Sequence, residues 1–357
     1  MPEHRSATDM PLVSVIVRST DRPSLPQALA SIATQDYPRI EVVVVGASGP
    51  QHSTLTQRCG PHPLQFVRCT APRNRPEAAN TGLDAASGDW ITFLDDDDIF
   101  LPDHLSGLMA ARADAPEAGV IHCFARATFA DGRAQRFGQP FCLVQLYARN
   151  FLQLSTAVFV RSLLARGCRF DEALLTHQDW DFFLQVAQLT SFHFVPRETF
   201  VWHADAGGSG AGGGANHDDE TFTRYRDLVY AKWARQRDAL IDRVEPLVRS
   251  AAQAAERRDF VAAEDLCRAA LAISPNDPWA LNLRASIERA TGRAHEARRT
   301  QQLAVAVCPQ DPALTFNLAL LYRAQGEIEL AKRCCDRAVA LDADFAPAKR
   351  LRAELPA

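Results

Sequence analysis

Lysine is nearly absent from this sequence. It occurs only at Lys232, Lys332 and Lys349, so the first 231 residues contain none. A phosphate-binding P-loop, a protein kinase strand and a pyridoxal Schiff base each need a lysine, and the N-terminal region can be none of these. A charge excess is missing too. Lysine and arginine total 39 against 43 acidic residues, a formal net charge of −4, so no overall positive field exists to hold nucleic acid. No apolar run approaches the ~20 residues that span a bilayer. Met1 to Asp9 lack the apolar stretch of a signal peptide, and the expectation is a cytoplasmic protein. The nine cysteines are odd in number and scattered with no C-x-x-C pair, Cys334 and Cys335 being adjacent. That pattern reads as reduced thiols, not a disulfide framework or a zinc site.

What is present is ordinary for a globular chain: 357 residues, 47% hydrophobic and 23% charged. The length fits about two domains, and the two halves have different rhythms. In the C-terminal part, Ala263, Ala297 and Ala331 recur at a step of 34 residues. Ala270, Ala304 and Ala338 share that step, as do Pro275 and Pro309, Asp277-Pro278 and Asp311-Pro312, and Gly292 and Gly326. Small residues let paired helices approach closely, and a proline ends the second helix of each unit. The pattern resembles the tetratricopeptide repeat, with about three units across Val244 to Ala357. Ala343 stands where the third closing proline would be, which fits an end unit. Such an array implies a partner-binding surface and no chemistry of its own.

The N-terminal part alternates strand and helix. Val13 to Val17 is a β-branched strand, followed by a helix with Leu25, Ala28, Leu29, Ile32 and Ala33 on one face. Glu41 to Val45 is a second strand and Gln65 to Val67 a third. Glu77 to Ala86 reads as a helix and Trp90 to Leu94 as a fourth strand. This rhythm implies βαβ units and a mainly parallel sheet covered on both faces. Farther on, Val120 to Phe124 and Ala127 to Ala130 read as a hairpin-like pair with a turn at Asp131-Gly132. Ser155 to Val160 is another strand, Asp179 to Leu189 an amphipathic helix and Thr221 to Gln236 a further helix. Gly207, Gly208, Gly210, Gly212, Gly213 and Gly214 form a linker or lid. The expected division is a disordered 1–10, an α/β domain over 11–205, a glycine-rich segment and connecting helix over 206–243, and repeats over 244–357.

In a doubly wound sheet, ligands sit beyond the carboxyl ends of the strands. Those ends carry Arg18-Ser19-Thr20, Gly46-Ala47-Ser48 and Asp95-Asp96-Asp97-Asp98. Four successive carboxylates repel one another, and a hard divalent cation with oxygen ligands relieves the repulsion. An acidic helix start before Pro102 is the competing reading. An EF-hand loop fits poorly, with Phe100 where glycine is needed and Ser106 where glutamate is needed. A Walker B strand has no Walker A to accompany it.

The order of residues narrows the choice. Val13 to Val17, Arg22-Pro23, Leu25, Ala28-Leu29, Ser31-Ile32, Gln35, Tyr37-Pro38 and Glu41 to Val45 run in a distinctive sequence. Asn80-x-Gly82, Ala85, Gly88, Phe93-Leu94-Asp95-x-Asp97-Asp98 and Pro102 continue it. This resembles the family 2 glycosyltransferases of the GT-A fold, over roughly the first 205 residues. Gln178-Asp179-Trp180-Asp181 is similar to that family's later acidic segment.

The resemblance implies an inverting transfer of sugar from a nucleotide-diphospho-sugar, a UDP-sugar foremost, to a hydroxyl of a glycan or protein acceptor, as in bacterial polysaccharide synthesis. It implies Mn²⁺ or Mg²⁺ held by Asp97 with His203 as a late ligand, and Asp179 as the general base. Arg18, Ser48, Arg75, Asn80, Asp95 and Asp96 would bind the donor. Two departures stand out. Gly46-Ala47-Ser48-Gly49 replaces an acidic pair whose aspartate binds the nucleobase, and Ala79 stands where an arginine precedes the asparagine, Arg75 being the candidate replacement. These losses keep a second expectation open: a catalytically degenerate GT-A domain serving as a repeat-bearing adaptor.

Overall fold

The computed structural model describes residues 10–204 and 219–356. The expected disordered N-terminus and the glycine-rich stretch lie outside the described residues. Contacts divide the chain into two compact units. One comprises residues 1–138 and 150–232, the other residues 139–149 and 233–357.

In the first unit the elements are, in chain order, β1 (Val13–Ser19), α1 (Leu25–Ala33), β2 (Ile40–Gly46), β3 (Arg58–Cys59) and β4 (His62–Arg68). Next come α2 (Arg75–Ala85), β5 (Trp90–Asp95), β6 (Ile99–Phe100), α3 (His104–Ala110), β7 (Ala118–Thr128) and β8 (Ala134–Phe137). After α4 (Leu143–Ala148), which belongs to the second unit, follow β9 (Ala157–Val160), α5 (Ser162–Ala165), α6 (Gln178–Ala187) and β10 (Ser191–His203). The long α7 (Asp219–Glu256) contributes its residues up to Lys232 to this unit.

The ten strands form one sheet in the order β3-β4-β2-β1-β5-β9-β7-β10-β6, with β8 on β7. Strands β4, β2, β1 and β5 are mutually parallel, with Val13 level with Ile40 on one side and with Trp90 on the other. β9 joins this parallel block to β7 by antiparallel pairing on both sides. Both β1 and β2 are buried almost throughout, as a sheet covered on two faces requires. The expected hairpin differs in its arms. β7 runs unbroken from 118 to 128, and residues 134–137 supply the returning strand. A run of eleven extended residues already has ladder partners in β9 and β10, so nothing interrupts it at 125–126.

α2 starts with a reciprocal cap. Asn74 accepts from the Glu77 amide while the Glu77 carboxylate accepts from the Asn74 amide. It packs on β1 so closely that a Cβ on Gly82 would lie 2.3 Å from Ile16 Cγ2. That contact explains why a glycine sits mid-helix, where it is otherwise unfavourable.

The second unit is helical. The rest of α7 is followed by α8 (Phe260–Ile273), α9 (Pro278–Ala290), α10 (Ala294–Val307), α11 (Pro312–Ala324), α12 (Ile328–Leu341) and α13 (Ala346–Glu354). The rest of α7 with α8, α9 with α10, and α11 with α12 make three helix pairs at the period read from the sequence, and α13 follows. Ala263, Ala297 and Ala331, and Ala270, Ala304 and Ala338, are all fully buried. Arg258, Gly292 and Gly326 occupy the same turn with positive φ. Asp277 and Asp311 cap α9 and α11 with their side chains, each before a first-turn proline, whereas Phe345 at α13 makes no cap. Residues 139–149 pack here as well: Gln139 donates to the Val307 carbonyl, and Asn276 to that of Phe141.

Candidate active site

The parallel block places its strand ends together. β1 lies between β2 and β5, so the chain leaves β1 toward one side and returns to its other side later. That is the crevice where open α/β sheets bind ligands. A cleft of about 430 Å³, its open mouth included, lies there. Arg18, Thr20 and Arg22 reach it from the end of β1, and Ala47 from the end of β2. Asp95, Asp96 and Asp97 line it from the end of β5; Arg73, Asn74, Arg75 and Ala78 do so from the start of α2. Four guanidiniums and a helix N-terminus facing one cleft suit an anion with several oxygens. Arg18 Nη1 is buried there without a hydrogen-bond partner, a donor that such an anion would satisfy.

The acidic turn is held tightly. Arg18 donates to Asp95 Oδ1 through Nε at 3.1 Å and Nη2 at 2.5 Å. The Thr20 amide donates to Asp96 Oδ2 at 2.9 Å. Arg22 Nη1 bridges Asp96 Oδ1 at 3.1 Å and Asp97 Oδ2 at 2.5 Å. β6 pairs with β10 and carries the end of β10 to this turn. There the His203 amide donates to Asp98 Oδ1 at 2.9 Å, and His203 Nδ1 lies 2.7 Å from the Asp97 carbonyl. That carbonyl can only accept, so Nδ1 carries the proton and Nε2 is the nitrogen left for a ligand.

Burial pushes Asp95 up, but Arg18 and Arg75 outweigh it and hold the carboxyl below its usual range. Burial and the Asp95 charge raise Asp97. The same two causes push Asp98 up to about 8. A hard divalent cation fits this donor set. The carboxylates lining the cleft offer oxygen only, the donor type such an ion takes. Among the described residues no group of three or more His, Cys, Asp or Glu side chains is arranged to hold a metal ion. An ion here would complete its shell from ligand oxygens and water, as Mg²⁺-type sites with one or two carboxylates do.

The cleft therefore gathers Arg18, Arg75, Asp95, Asp96 and Asp97, with His203 behind the same turn. Three other expected residues lie outside its lining. Ser48 follows Ala47, and its Oγ is buried without a partner. Asn80 is committed elsewhere: its amide donates to the Phe170 carbonyl and Glu172 and accepts from the Phe170 amide. It sits in the second turn of α2, where it fastens the segment before α6. Asp179 is in the first turn of α6, accepting from the Trp180 amide and from Asn150 Nδ2 at 3.1 Å. Arg22 and Arg73 were not singled out as ligand residues. Arg22 stood within the family-like run, but only folding brings it to carboxylates more than seventy positions away.

Residues 14–171 match the family model described as Glycosyl transferase family 2. An uncharacterized glycosyltransferase of Haemophilus influenzae is 23% identical over 188 residues, which cover 51% of this chain and 64% of that protein. The GalNAc(5)-diNAcBac-PP-undecaprenol beta-1,3-glucosyltransferase of Campylobacter jejuni is 36% identical over 120 residues, covering 32% of this chain and 38% of that protein. Among solved structures, S. aureus TarS 1-349 in complex with UDP-GlcNAc superposes with a TM-score of 0.51 at 15% identity, covering 94% of this chain and 91% of that one. At that identity the likeness speaks for the fold alone. Residues 14–171 are thus similar to the family 2 glycosyltransferases, the fold is like that of TarS, and helical repeats with a 34-residue period follow.

Proposed function

We propose that the chain transfers a sugar, with inversion, from a nucleotide-diphospho-sugar to a hydroxyl of a glycan or protein. The observation that carries this reading is the cleft itself, where four arginines and three aspartates meet at the strand ends. Arg18, Arg73 and Arg75 bind and orient the diphosphate, aided by the N-terminus of α2. Asp97 and His203 Nε2 hold Mn²⁺ or Mg²⁺, and Asp95 and Asp96 face the ribose. The bound ion supplies Lewis-acid stabilisation of charge on the departing diphosphate. Asp179 takes the proton from the acceptor hydroxyl as it attacks opposite the leaving group. Asn150 presents that carboxylate through its bond to Oδ2, leaving Oδ1 toward the helix N-terminus. A UDP-sugar is the first donor to try, UDP-GlcNAc being the ligand of the TarS complex. The repeats engage a partner or the acceptor, and the setting is cytoplasmic.

The test is turnover of UDP-, GDP- and dTDP-sugars by the full chain with Mn²⁺. One donor is expected to be consumed, with loss of roughly a hundredfold or more in Asp179→Asn, whose acid-base role typically contributes that much. Ala47 favours a second reading, an inactive adaptor, because a methyl group replaces the carboxylate expected to read the base. No turnover of any donor, with Asp179→Asn indistinguishable from the parent, would establish that reading instead.

A further inference from the structure

The acidic turn already holds a cation of its own. Arg22 Nη1 sits 2.5 Å from Asp97 Oδ2 and 3.1 Å from Asp96 Oδ1. The two arginines of the turn are not equivalent. Arg18 lies on β1 in register with Asp95, places two nitrogens on its carboxylate and lies 5.7 Å from the Phe93 ring centre, with only 9% of its side chain exposed. Arg22 lies beyond the strand, after Asp21 with its φ of 67°, and its side chain is 30% exposed. Its hydrogen bonds in the cleft are to Asp96 and Asp97. A Mg²⁺-type ion approaches a carboxylate oxygen to about 2.0–2.1 Å. A cation bound at Asp97 Oδ2 would stand beside the guanidinium that already holds that oxygen, and the two positive charges repel.

We propose that Arg22 is the resident counter-ion of Asp97, the metal-binding carboxylate, and of Asp96 beside it. A divalent cation displaces it, and the donor's diphosphate then receives it. The proposal rests on the donor reading above. Arg22 also lines the cleft, so a diphosphate there lies within reach of the displaced guanidinium. Phosphate is an acceptor to which a guanidinium can donate twice. Cation alone must evict Arg22 without compensation, whereas cation with nucleotide offers the arginine a new partner. Binding of the two is therefore cooperative, and by linkage each raises the other's affinity by the same factor.

The experiment is Mn²⁺ binding to the full chain followed by electron paramagnetic resonance, with and without UDP, for the parent, Arg22→Gln, Arg22→Lys and Asp97→Asn. Arg22→Gln is expected to bind Mn²⁺ alone about tenfold more tightly, the scale of one partly buried charged hydrogen-bonded pair. UDP should then enhance Mn²⁺ binding less in Arg22→Gln than in the parent, with Arg22→Lys close to the parent. A tighter site cannot arise from misfolding. If the parent and Arg22→Gln bind Mn²⁺ equally, or the variant binds it less tightly, while Asp97→Asn abolishes binding, the counter-ion role is overturned and the donor reading stands. If no form binds Mn²⁺ even with UDP, both fall.

Discussion

His122 shows how far a single side chain can stand from the chemistry around it. It is fully buried on β7 against Phe192 and Phe194, and neither ring nitrogen has a hydrogen-bond partner. Burial holds its pKa down at about 3, against an ordinary 6.5. Between those values the unfolded ring takes a proton that the folded ring refuses. Stability is therefore full above 6.5 and falls by about 1.4 kcal/mol per pH unit below it. His122→Leu should shrink the difference in unfolding free energy between pH 7 and pH 5 by about 2 kcal/mol. Urea titrations at the two pH values check this, and an unchanged difference contradicts it. Such a residue carries no mark in the sequence. Asp95 to Asp98 do, because four adjacent carboxylates need an explanation wherever they fall. Arg22 lies between these cases. Its place in the family-like run is visible, but its pairing with Asp97 exists only because β1 and β5 are neighbours.

At the scale of elements, the close approach of α2 to β1 depends on one missing methyl. Gly82→Ala should destabilise the protein by roughly 1–3 kcal/mol, since the added Cβ meets Ile16 inside the core, where overpacking is poorly tolerated. Chemical denaturation measures it, and a neutral or stabilising effect, as helix propensity alone would give, contradicts the packing account. Most strands and helices are legible for a local reason: β-branched runs such as Val42 to Val45 and capped starts such as that of α2. The hairpin after residue 118 has an unbroken first arm where the sequence predicts two short ones, 120–124 and 127–130. Its unbroken form is set by β9 and β10, strands distant in sequence. Asn80, expected to bind the donor, is tied through its amide to Phe170, ninety positions on, a contact that only folding makes.

For the whole molecule, the repeat period defines the helical array, but the boundary at residue 244 does not describe its full extent. Residues 139–149 belong to that unit. Cys142 is fully buried there, its thiol pushed up to about 12 by that burial, and Leu146 is fully buried too. Removing residues 244–357 strips Gln139 and Phe141 of the Val307 and Asn276 partners that hold them. A chain ending at residue 243 should melt at least roughly 2–4 °C lower, the shift expected for each kcal/mol in a domain of 150–250 residues, and should bind a hydrophobic dye. An unaltered melting temperature would mean that 139–149 is self-sufficient. Nothing in the sequence marks that segment as part of the repeats, because its membership arises from long-range contacts and not from the 34-residue period.

The central claim is that the arginine and aspartate cleft grips a nucleoside diphosphate together with a cation. Calorimetric titration of UDP into the full chain, with Mn²⁺ or with chelator, for the parent and Asp97→Asn, tests it most directly. The account predicts binding with Mn²⁺ that weakens roughly tenfold or more on chelation, and no benefit from Mn²⁺ once Asp97 is replaced. UDP binding that is absent, or indifferent to both the ion and Asp97, would contradict it.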